Sequence, residues 1–450
     1  MRIFLAIGMF AMVSSVFATF ASAQPWKQFP YQAAGSEILF PRDEGSHGSF
    51  LEWWYSVLHL QGKTSGDQYS VLVSHFNNEI RFFTVTNLTK QKHTSGATLG
   101  LLRSPRGFLD LTQKTRYGTD HFKSVGPFEY KIETHDQDMD LEVDLSAIKK
   151  PLMVGGTGYQ PVGSSGHTFY YSLPRLKVSG KLLFLGVSEE VEGEAWIDHQ
   201  WGPFVVSPFP VKGVFDTYEW FCVQLDNGQE LMVNNIFDRK NNLPNTEAYG
   251  GVQITSFDGD AIHTLNRKFT RTGFWQDPVS KTYMSMGWTL DLPDQDIHLD
   301  FTPEYLNQMV VLPLKGSFWE GSIPVKGTVA GKPVTGKAFG ELIHRFEIPQ
   351  LQISKLKPVW TSDETLDLKW DVLNPDAGNP LHFQVYLKTK SGEVLLRSNL
   401  SGPEIQISIA EMLALEGNHQ SPLNVQLIVK ANSVDGVISG STETADLTIK

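Results

Sequence analysis

Cysteine is almost absent from this sequence, since Cys222 is the only one in 450 residues. A single thiol excludes an internal disulfide and a metal site built on several cysteines, so packing alone has to hold the folded state together. Cys222 lies in an apolar run, where a buried and unreactive thiol is the expected state. The 13 histidines include no H-x-H pair and no H-E-x-x-H arrangement, and the sequence therefore predicts no metal site.

Basic charge and long apolar runs are also scarce. The one long apolar run follows Arg2 and ends at Ala21-Ser22-Ala23, a pattern typical of a secretory signal peptide over residues 1–23. No later run is long enough to predict a transmembrane helix. Loss of Arg2 takes the formal net charge from −11 to −12, which argues against nucleic acid or an anionic membrane as the main partner. We expect an exported protein, either periplasmic or extracellular.

Short runs of alternating apolar and polar residues recur along the chain, for example at Tyr69–Ser74 and Ile297–Phe301. Turn residues such as Asp226-Asn227-Gly228 separate them, which predicts β-strands joined by hairpins. Only Glu304–Met309 and Ile409–Leu415 favour helices. Many evenly spaced antiparallel strands indicate an all-β protein built from barrels or sandwiches.

The chain after about Pro349 has a different pattern. Trp370 lies on an alternating strand, and further strands at Phe383–Leu387 and Val425–Val429 follow at turn-separated intervals. One early tryptophan and several strands over ~100 residues suit an immunoglobulin or fibronectin type III sandwich. Because no catalytic residue types cluster there, we interpret this segment as a spacer or a protein-contact module.

The first motif with chemical content is Glu52-Trp53-Trp54-Tyr55. Strand alternation places Glu52 and Trp54 on one face and Trp53 and Tyr55 on the other. A carboxylate buried beside indoles would have a raised pKa, which suits it to hold or donate a proton. The alternative is a structural Glu52 paired with an arginine.

The second motif runs from Gly193 to Gly202 and contains Trp196, Asp198, His199 and Trp201. Alternation places Trp196 and Asp198 on one face and His199 and Trp201 on the other. Polar groups this dense in a tryptophan-flanked strand are costly to bury alone, so they are either networked or functional. A buried structural role for His199 stays open beside a catalytic one.

Two further strands pair an acid with aromatic residues, at Tyr218-Glu219-Trp220 and at Trp319-Glu320. Ordinary strand packing with solvated acids is the alternative at both places. An acid beside aromatic residues is nevertheless the recurrent chemical feature of the chain, at Glu52, Asp198, Glu219 and Glu320.

These four motifs in this order resemble the carotenoid 1,2-hydratase (hydroxyneurosporene synthase)/AttH family over roughly residues 35–348. A Gly155-Gly156-Thr157-Gly158 loop and the block from His167 to Gly180 add to the resemblance. It implies two tandem lipocalin-like β-barrels with a site at their mutual interface. We therefore divide the chain into a signal peptide (1–23), a first barrel (24–205), a second barrel (206–348) and an immunoglobulin-like or fibronectin III-like sandwich (349–450).

The resemblance also implies a cofactor-independent hydration of a prenyl or isoprenoid double bond. An acid protonates the alkene, aromatic faces stabilise the cation, and water adds. Carried over to this chain, the catalytic candidates are Asp198, His199, Glu219 and Glu52, and either Asp198 or Glu219 would donate the proton. The candidates for binding an isoprenoid or lipid-like molecule are Trp53, Trp54, Tyr55, Trp196, Trp201, Tyr218, Trp220, Trp319 and Glu320.

Other functions stay open at this point. The tryptophans could line the cavity of a non-catalytic carrier of a hydrophobic ligand. A secreted hydrolase is a second alternative, although Gly163-Ser164-Ser165-Gly166 does not have the G-x-S-x-G spacing. The C-terminal sandwich could also make the whole chain a surface-interaction protein.

Overall fold

The computed structural model describes residues 25–162, 166–204, 217–237, 247–256, 259–312, 316–345, 351–362, 364–373, 380–389, 392–416, 423–434, 439–444 and 447–449. In these ranges the chain is nearly all β-strand, with one α-helix, α1 (Ile409–Glu416), and one 3-10 helix (Pro293–Gln295). The predicted all-β class is confirmed. Within these ranges no helix has the length and apolarity that crossing a membrane requires. The predicted signal peptide lies outside the described residues.

The first large sheet is antiparallel and has 13 strands, in the order β6-β5-β4-β3-β15-β14-β11-β10-β9-β8-β7, with β12 and β13 also paired to β14. A separate two-stranded sheet, β1 with β2, precedes it. The strands are β1 (Tyr31–Gln32), β2 (Leu39–Phe40), β3 (Leu51–Gly62), β4 (Gln68–Phe76), β5 (Ile80–Asn87), β6 (Lys92–Leu99), β7 (Leu101–Arg103), β8 (Asp110–Lys114), β9 (Thr119–Gly126), β10 (Glu129–Asp136), β11 (Met139–Ala147), β12 (Leu152–Met153), β13 (Tyr159–Val162), β14 (Gly166–Phe184) and β15 (Val187–Gly202).

The second large sheet has ten strands, in the order β19-β18-β17-β16-β25-β24-β22-β21-β20, with β23 paired to β24. Of the two large sheets, one forms a nearly closed barrel and the other a half-barrel, as the lipocalin-like prediction requires. The strands are β16 (Thr217–Leu225), β17 (Glu230–Phe237), β18 (Glu247–Thr255), β19 (Ala261–Thr264), β20 (Lys268–Gln276), β21 (Tyr283–Leu292), β22 (Ile297–Phe301), β23 (Met309–Val310), β24 (Phe318–Val329) and β25 (Lys332–Leu342).

The C-terminal part packs a three-stranded sheet, β26-β27-β30, against a five-stranded sheet built on β29-β28-β31-β32, with β33 paired to β31. Trp370 and Phe383 meet in the core between them, with ring centroids 5.4 Å apart, as the sandwich prediction requires. The strands are β26 (Gln352–Ser362), β27 (Thr365–Leu373), β28 (Leu381–Thr389), β29 (Gly392–Leu400), β30 (Glu404–Ser408), β31 (Leu423–Ser433), β32 (Ser439–Glu443) and β33 (Leu447–Ile449).

Strand alternation divides most of the buried side chains of the barrels into three large cores. On β3, Trp54 and Leu58 face the core of the first barrel, and on β16, Phe221 and Val223 face that of the second. The residues on the other face of these strands form a third core, which lies between the barrels. It contains Tyr55, Val57, Trp196, Trp220, Cys222, Met232 and Phe339. The two barrels therefore share a buried interface.

One of the two predicted helices is wrong. Ile409–Glu416 is helical, but Glu304–Met309 is irregular chain up to β23. The Gln308 side chain explains this, because it donates to the main-chain oxygens of Tyr305 and Ser322 and accepts from the Ser322 N–H. This fully buried amide thus occupies the Tyr305 carbonyl, which a helical turn would use, and ties the segment to β24.

The domain boundaries stay a prediction. The two large sheets end at Gly202 and Leu342, and the sandwich starts at Gln352. The predicted boundaries at 205/206 and 348/349 lie outside the described residues.

Candidate active site between the barrels

A cavity of about 410 Å³ lies between the two barrels. Strands β3, β14 and β15 of the first barrel and β16, β17 and β25 of the second line much of it. Its walls combine aromatic rings with polar side chains, which include Gln160, Asp198, Gln200, Asn234, Gln253, His263 and Glu341. The lining includes Trp53, Tyr55, Tyr170, Asp198, Gln200, Phe204, Tyr218, Trp220, Met232 and Glu341.

Asp198 is the acid that the first barrel presents to this cavity. Its carboxylate accepts hydrogen bonds from the Tyr170 hydroxyl and, at 2.7 Å, from the Trp196 indole N–H. The side chain is only 2% exposed. Burial raises the pKa of Asp198 from 3.8 to about 7, although the hydrogen bonds that stabilise its charged form oppose this shift. The group can therefore hold or release a proton near neutral pH.

The second barrel contributes Glu341 from β25. The Tyr218 hydroxyl donates to it at 2.8 Å. Burial raises the pKa of Glu341 to about 7, against the Tyr218 hydrogen bond, and the nearby charge of Asp198 raises it further. Asp198 and Glu341 therefore titrate in the same range, which favours a state near neutral pH in which one is protonated and the other ionised.

A second cavity of about 470 Å³ adjoins the first, and Tyr55, Tyr218 and Glu341 line both. Glu320 faces it and accepts a hydrogen bond of 2.8 Å from the Tyr55 hydroxyl. Burial and the charge of Glu341 raise the pKa of Glu320 well above its usual range, which favours its neutral form. The rest of the wall is mostly apolar, with Leu51, Phe76, Ile80, Phe82, Leu312, Phe318 and Ile343.

Glu52 and His199 lie on the opposite faces of β3 and β15 and point into the first barrel. The His199 ring nitrogen Nε2 is 3.1 Å from Glu52 Oε1, and His47 Nδ1 is 2.8 Å from the same oxygen. Burial raises the pKa of Glu52, but the hydrogen bonds with His199 and His47 outweigh it and lower that pKa to about 2. One ligand atom from each of these three side chains lies within 4.8 Å of the other two, the arrangement that could hold a metal ion.

Glu219 points into the second barrel, where it pairs with the equally buried Arg271 at 2.7 Å and accepts a hydrogen bond from Ser285. Trp319 lies in the same core, and its indole N–H donates to the Leu306 carbonyl. Neither residue lines the cavities described above, so the structure does not place Glu219 beside Asp198.

The predicted site residues therefore separate into three places. Trp53, Tyr55, Asp198, Tyr218 and Trp220 line the first cavity, Trp196 touches Asp198, and Glu320 lines the second cavity. Trp54 and Trp201 lie beside the rings of His199 and His47, together with Glu52. Glu219 and Trp319 belong to the core of the second barrel. The catalytic and binding roles of all of them stay a prediction.

Two residues at the centre of the site were not predicted, Tyr170 and Glu341. Glu341 lies directly opposite Glu320 in the β24–β25 hairpin, and it also pairs with Trp220 on β16. The short turn at Ala330-Gly331 fixes that register, so a sequence argument based on hairpin pairing could have found Glu341. Tyr170 pairs with Gln200 across β14 and β15, a contact between segments whose register shifts at a bulge.

Comparison with known proteins identifies one matching family and several solved structures with a similar fold. The profile of the AttH-like family matches residues 31–344. An AttH candidate protein from Nitrosomonas europaea has a crystal structure that superposes with a TM-score of 0.58 at 18% identity, covering 70% of this chain and 98% of that one. Kievitone hydratase from Nectria haematococca superposes with a TM-score of 0.55, at the same identity and coverage. No curated protein is significantly similar in sequence.

Proposed function

Because this chain belongs to the AttH-like family, we propose that it adds water across a carbon–carbon double bond of a small apolar molecule bound between its barrels. The observation that carries the proposal is the pair of carboxyls, buried Asp198 and half-buried Glu341, with pKa values of about 7 in a cavity lined by aromatic and polar side chains. The shared fold with a hydratase is consistent with it. The proposal requires no cofactor.

In the proposed reaction, Glu341 acts as the acid and Asp198 as the base. Two hydrogen-bond donors, Tyr170 and Trp196, stabilise the anion of Asp198, whereas Tyr218 alone donates to Glu341. Glu341 therefore holds the shared proton and donates it to the double bond, which forms a C–H bond and leaves a carbocation. Asp198 takes a proton from the water that attacks the cation. That proton then returns to Glu341, so the pair is regenerated and one water is consumed.

Aromatic faces around the cavity stabilise the cation. Tyr55 and Trp220 contact each other edge to face, with ring centroids 5.5 Å apart, and Trp53 lines the same cavity. An indole face attracts a desolvated cation by about 2 kcal/mol, which corresponds to a rate effect of more than about tenfold if it acts in the transition state. The substrate class that this chemistry suits is a prenyl or other alkene that protonates to a tertiary cation.

The carrier remains the second candidate, and the adjoining cavity favours it. Its 470 Å³ and mostly apolar walls would hold a hydrocarbon chain whether or not a reaction follows. A carrier and an enzyme differ in one observable property, the conversion of the bound molecule. A secreted hydrolase stays an untested alternative.

The test uses the purified chain, a panel of prenylated phenols and terpenoid alkenes, and H₂¹⁸O. Conversion by the wild type with uptake of one ¹⁸O, seen by mass spectrometry, is the expected result. Asp198→Asn and Glu341→Gln should bind the same molecules yet lose at least about 100-fold in turnover, the usual size of an acid–base contribution. Asp226→Asn, an identical change on an exposed turn, is the matched control. Binding without conversion by any of these proteins would favour the carrier.

Export and the role of the C-terminal sandwich are further parts of the proposal. The signal-peptide pattern supports secretion, and cleavage after Ala23 would give a mature chain that starts at Gln24. The mass of the protein recovered from the periplasm or medium tests this directly. We also propose that the sandwich is a protein-contact module, for which pull-down with the isolated barrels as control is the test.

A further inference from the structure

A polar cluster lies on the opposite side of β15 from Asp198, inside the first barrel. Three side chains meet there, His199 from β15, Glu52 from β3 and His47 from the segment before β3. Both imidazoles approach the same oxygen, Glu52 Oε1, His47 through Nδ1 at 2.8 Å and His199 through Nε2 at 3.1 Å. The other carboxylate oxygen, Oε2, accepts from the Ser46 hydroxyl, and the His47 main-chain N–H is shared between Oε2 at 3.1 Å and Oε1 at 3.0 Å.

Asp43 determines which nitrogen of the His199 ring carries the proton. The Nδ1 of His199 is 3.1 Å from the Asp43 carbonyl, which can only accept, so this nitrogen is the donor. The Nε2 of His47 is 3.3 Å from the Asp43 carboxylate, which Arg42 already neutralises. His199 therefore donates through its far nitrogen, whereas His47 has a carboxylate at each ring nitrogen, Glu52 at 2.8 Å and Asp43 at 3.3 Å.

In a neutral His199 ring, the near nitrogen Nε2 then carries a lone pair that points at the carboxylate of Glu52. Two acceptors, His199 Nε2 and Glu52 Oε1, face each other at 3.1 Å with no hydrogen between them. Protonation of His199 would instead create an imidazolium ion in a ring that is completely buried. A divalent cation between the three atoms resolves the conflict. The Asp43 contacts are the outer hydrogen bonds that metal-binding histidines normally make.

The rings are also held in place. His47 stacks on Trp201 at a centroid distance of 3.8 Å and an interplanar angle of 1°, and His199 stacks on Trp54 at 4.8 Å. The His47 side chain is 20% exposed, whereas Glu52 is completely buried. An ion could therefore enter past His47, and the indoles would prevent the rings from turning away.

We propose that His47 Nδ1, Glu52 Oε1 and His199 Nε2 bind one zinc-type divalent ion. Two ligands at zinc–ligand distances of about 2.0–2.1 Å lie about 3.3–3.4 Å apart in a tetrahedron, so the His47–Glu52 contact has to widen by about 0.5 Å and the His199–Glu52 contact by about 0.3 Å. The ion ties the segment before β3 to two strands of the first barrel. It is a second site, separate from the cavity between the barrels, and its existence does not depend on the hydratase proposal.

The test uses the full chain without a histidine tag, freed of metal with a chelator and titrated with Zn²⁺ in a calorimeter. One equivalent per chain is expected, and Co²⁺ in its place should give the intense visible bands of a four-coordinate ion. Glu52→Gln and His47→Asn should each weaken Zn²⁺ binding by more than about 100-fold, since even outer hydrogen-bond partners contribute 10- to 100-fold. His59→Gln, which removes another buried histidine of β3, is the matched control and should bind like the wild type.

Two results would overturn the proposal. One is a wild type that takes up less than one equivalent of Zn²⁺ at micromolar concentration. The other is binding that persists unchanged in Glu52→Gln and His47→Asn, which would assign the ion to other residues. If Glu52→Gln does not fold, as judged by circular dichroism, His47→Asn decides the question, because His47 is partly exposed.

Discussion

Replacing Asp198 by asparagine should inactivate the protein and, at alkaline pH, make it more stable. The pKa of this carboxyl is 3.8 in its ordinary state and about 7 in the folded chain. A difference of three pKa units corresponds to about 4 kcal/mol of unfolding free energy. Asparagine has no charge to bury, and its oxygen can still accept the hydrogen bond from the Trp196 indole.

The direction in which stability changes with pH follows from the protons that the folded and unfolded chains bind. Between pH 4 and pH 7 the folded Asp198 keeps a proton that the unfolded chain has released, so the stability of the wild type falls as the pH rises through this range. The penalty is complete above pH 7 and absent below pH 4. We therefore expect the advantage of Asp198→Asn over the wild type to grow by about 2–4 kcal/mol between pH 4 and pH 8.

Urea unfolding followed by tryptophan fluorescence at pH 4.5, 6, 7 and 8 measures this difference. Asp226→Asn, on an exposed turn, is the control and should show no such growth with pH. The reasoning is refuted if Asp198→Asn loses the same stability at every pH, because burial of the charge would then not be what raises the pKa. A stabilised but inactive variant would also show that the site is kept at a cost in stability.

Three further predictions concern the barrels. Arg271→Met leaves the buried Glu219 carboxylate without its cation and should lower the unfolding free energy by about 3–5 kcal/mol, with partial recovery in the double variant with Glu219→Gln; a small loss in urea unfolding would contradict this. The specificity constant kcat/KM, measured from pH 5 to 9, should peak near pH 7, because the reaction needs one ionised and one protonated carboxyl; a profile that is flat across pH 7 argues against the pair. Trp220→Leu should lower turnover about tenfold while ligand affinity, measured by fluorescence, changes less; an equal loss of both would reduce the role of the indole to binding.

Much of the site could be predicted from strand alternation. It placed Trp53 and Tyr55 on one face of β3 and Glu52 on the other, and it separated Asp198 from His199, as the structure has them. Because successive side chains of a β-strand point to opposite faces, this assignment of residues to faces holds in any β-sheet fold. The family match over residues 31–344 likewise agrees with the predicted resemblance.

Alternation could not show which face of a strand meets the other barrel. Glu219 and Trp220 are neighbours on β16, and only the packing of the two barrels decides that the tryptophan reaches the cavity while the acid meets Arg271. The cluster at His47 was missed for a similar reason. Its three members are separated by up to 152 positions in sequence, so a spacing rule for metal ligands cannot recognise them.

Chemical modification of the single thiol, Cys222, can measure how often the two barrels separate. Its side chain lies in the core between the barrels, and burial raises its pKa well above the usual value for a thiol. A thiol reagent can therefore modify it only while that interface is open. The labelling rate reports how often the barrels part, and a ligand that occupies the cavity between them should slow it in proportion to the fraction bound.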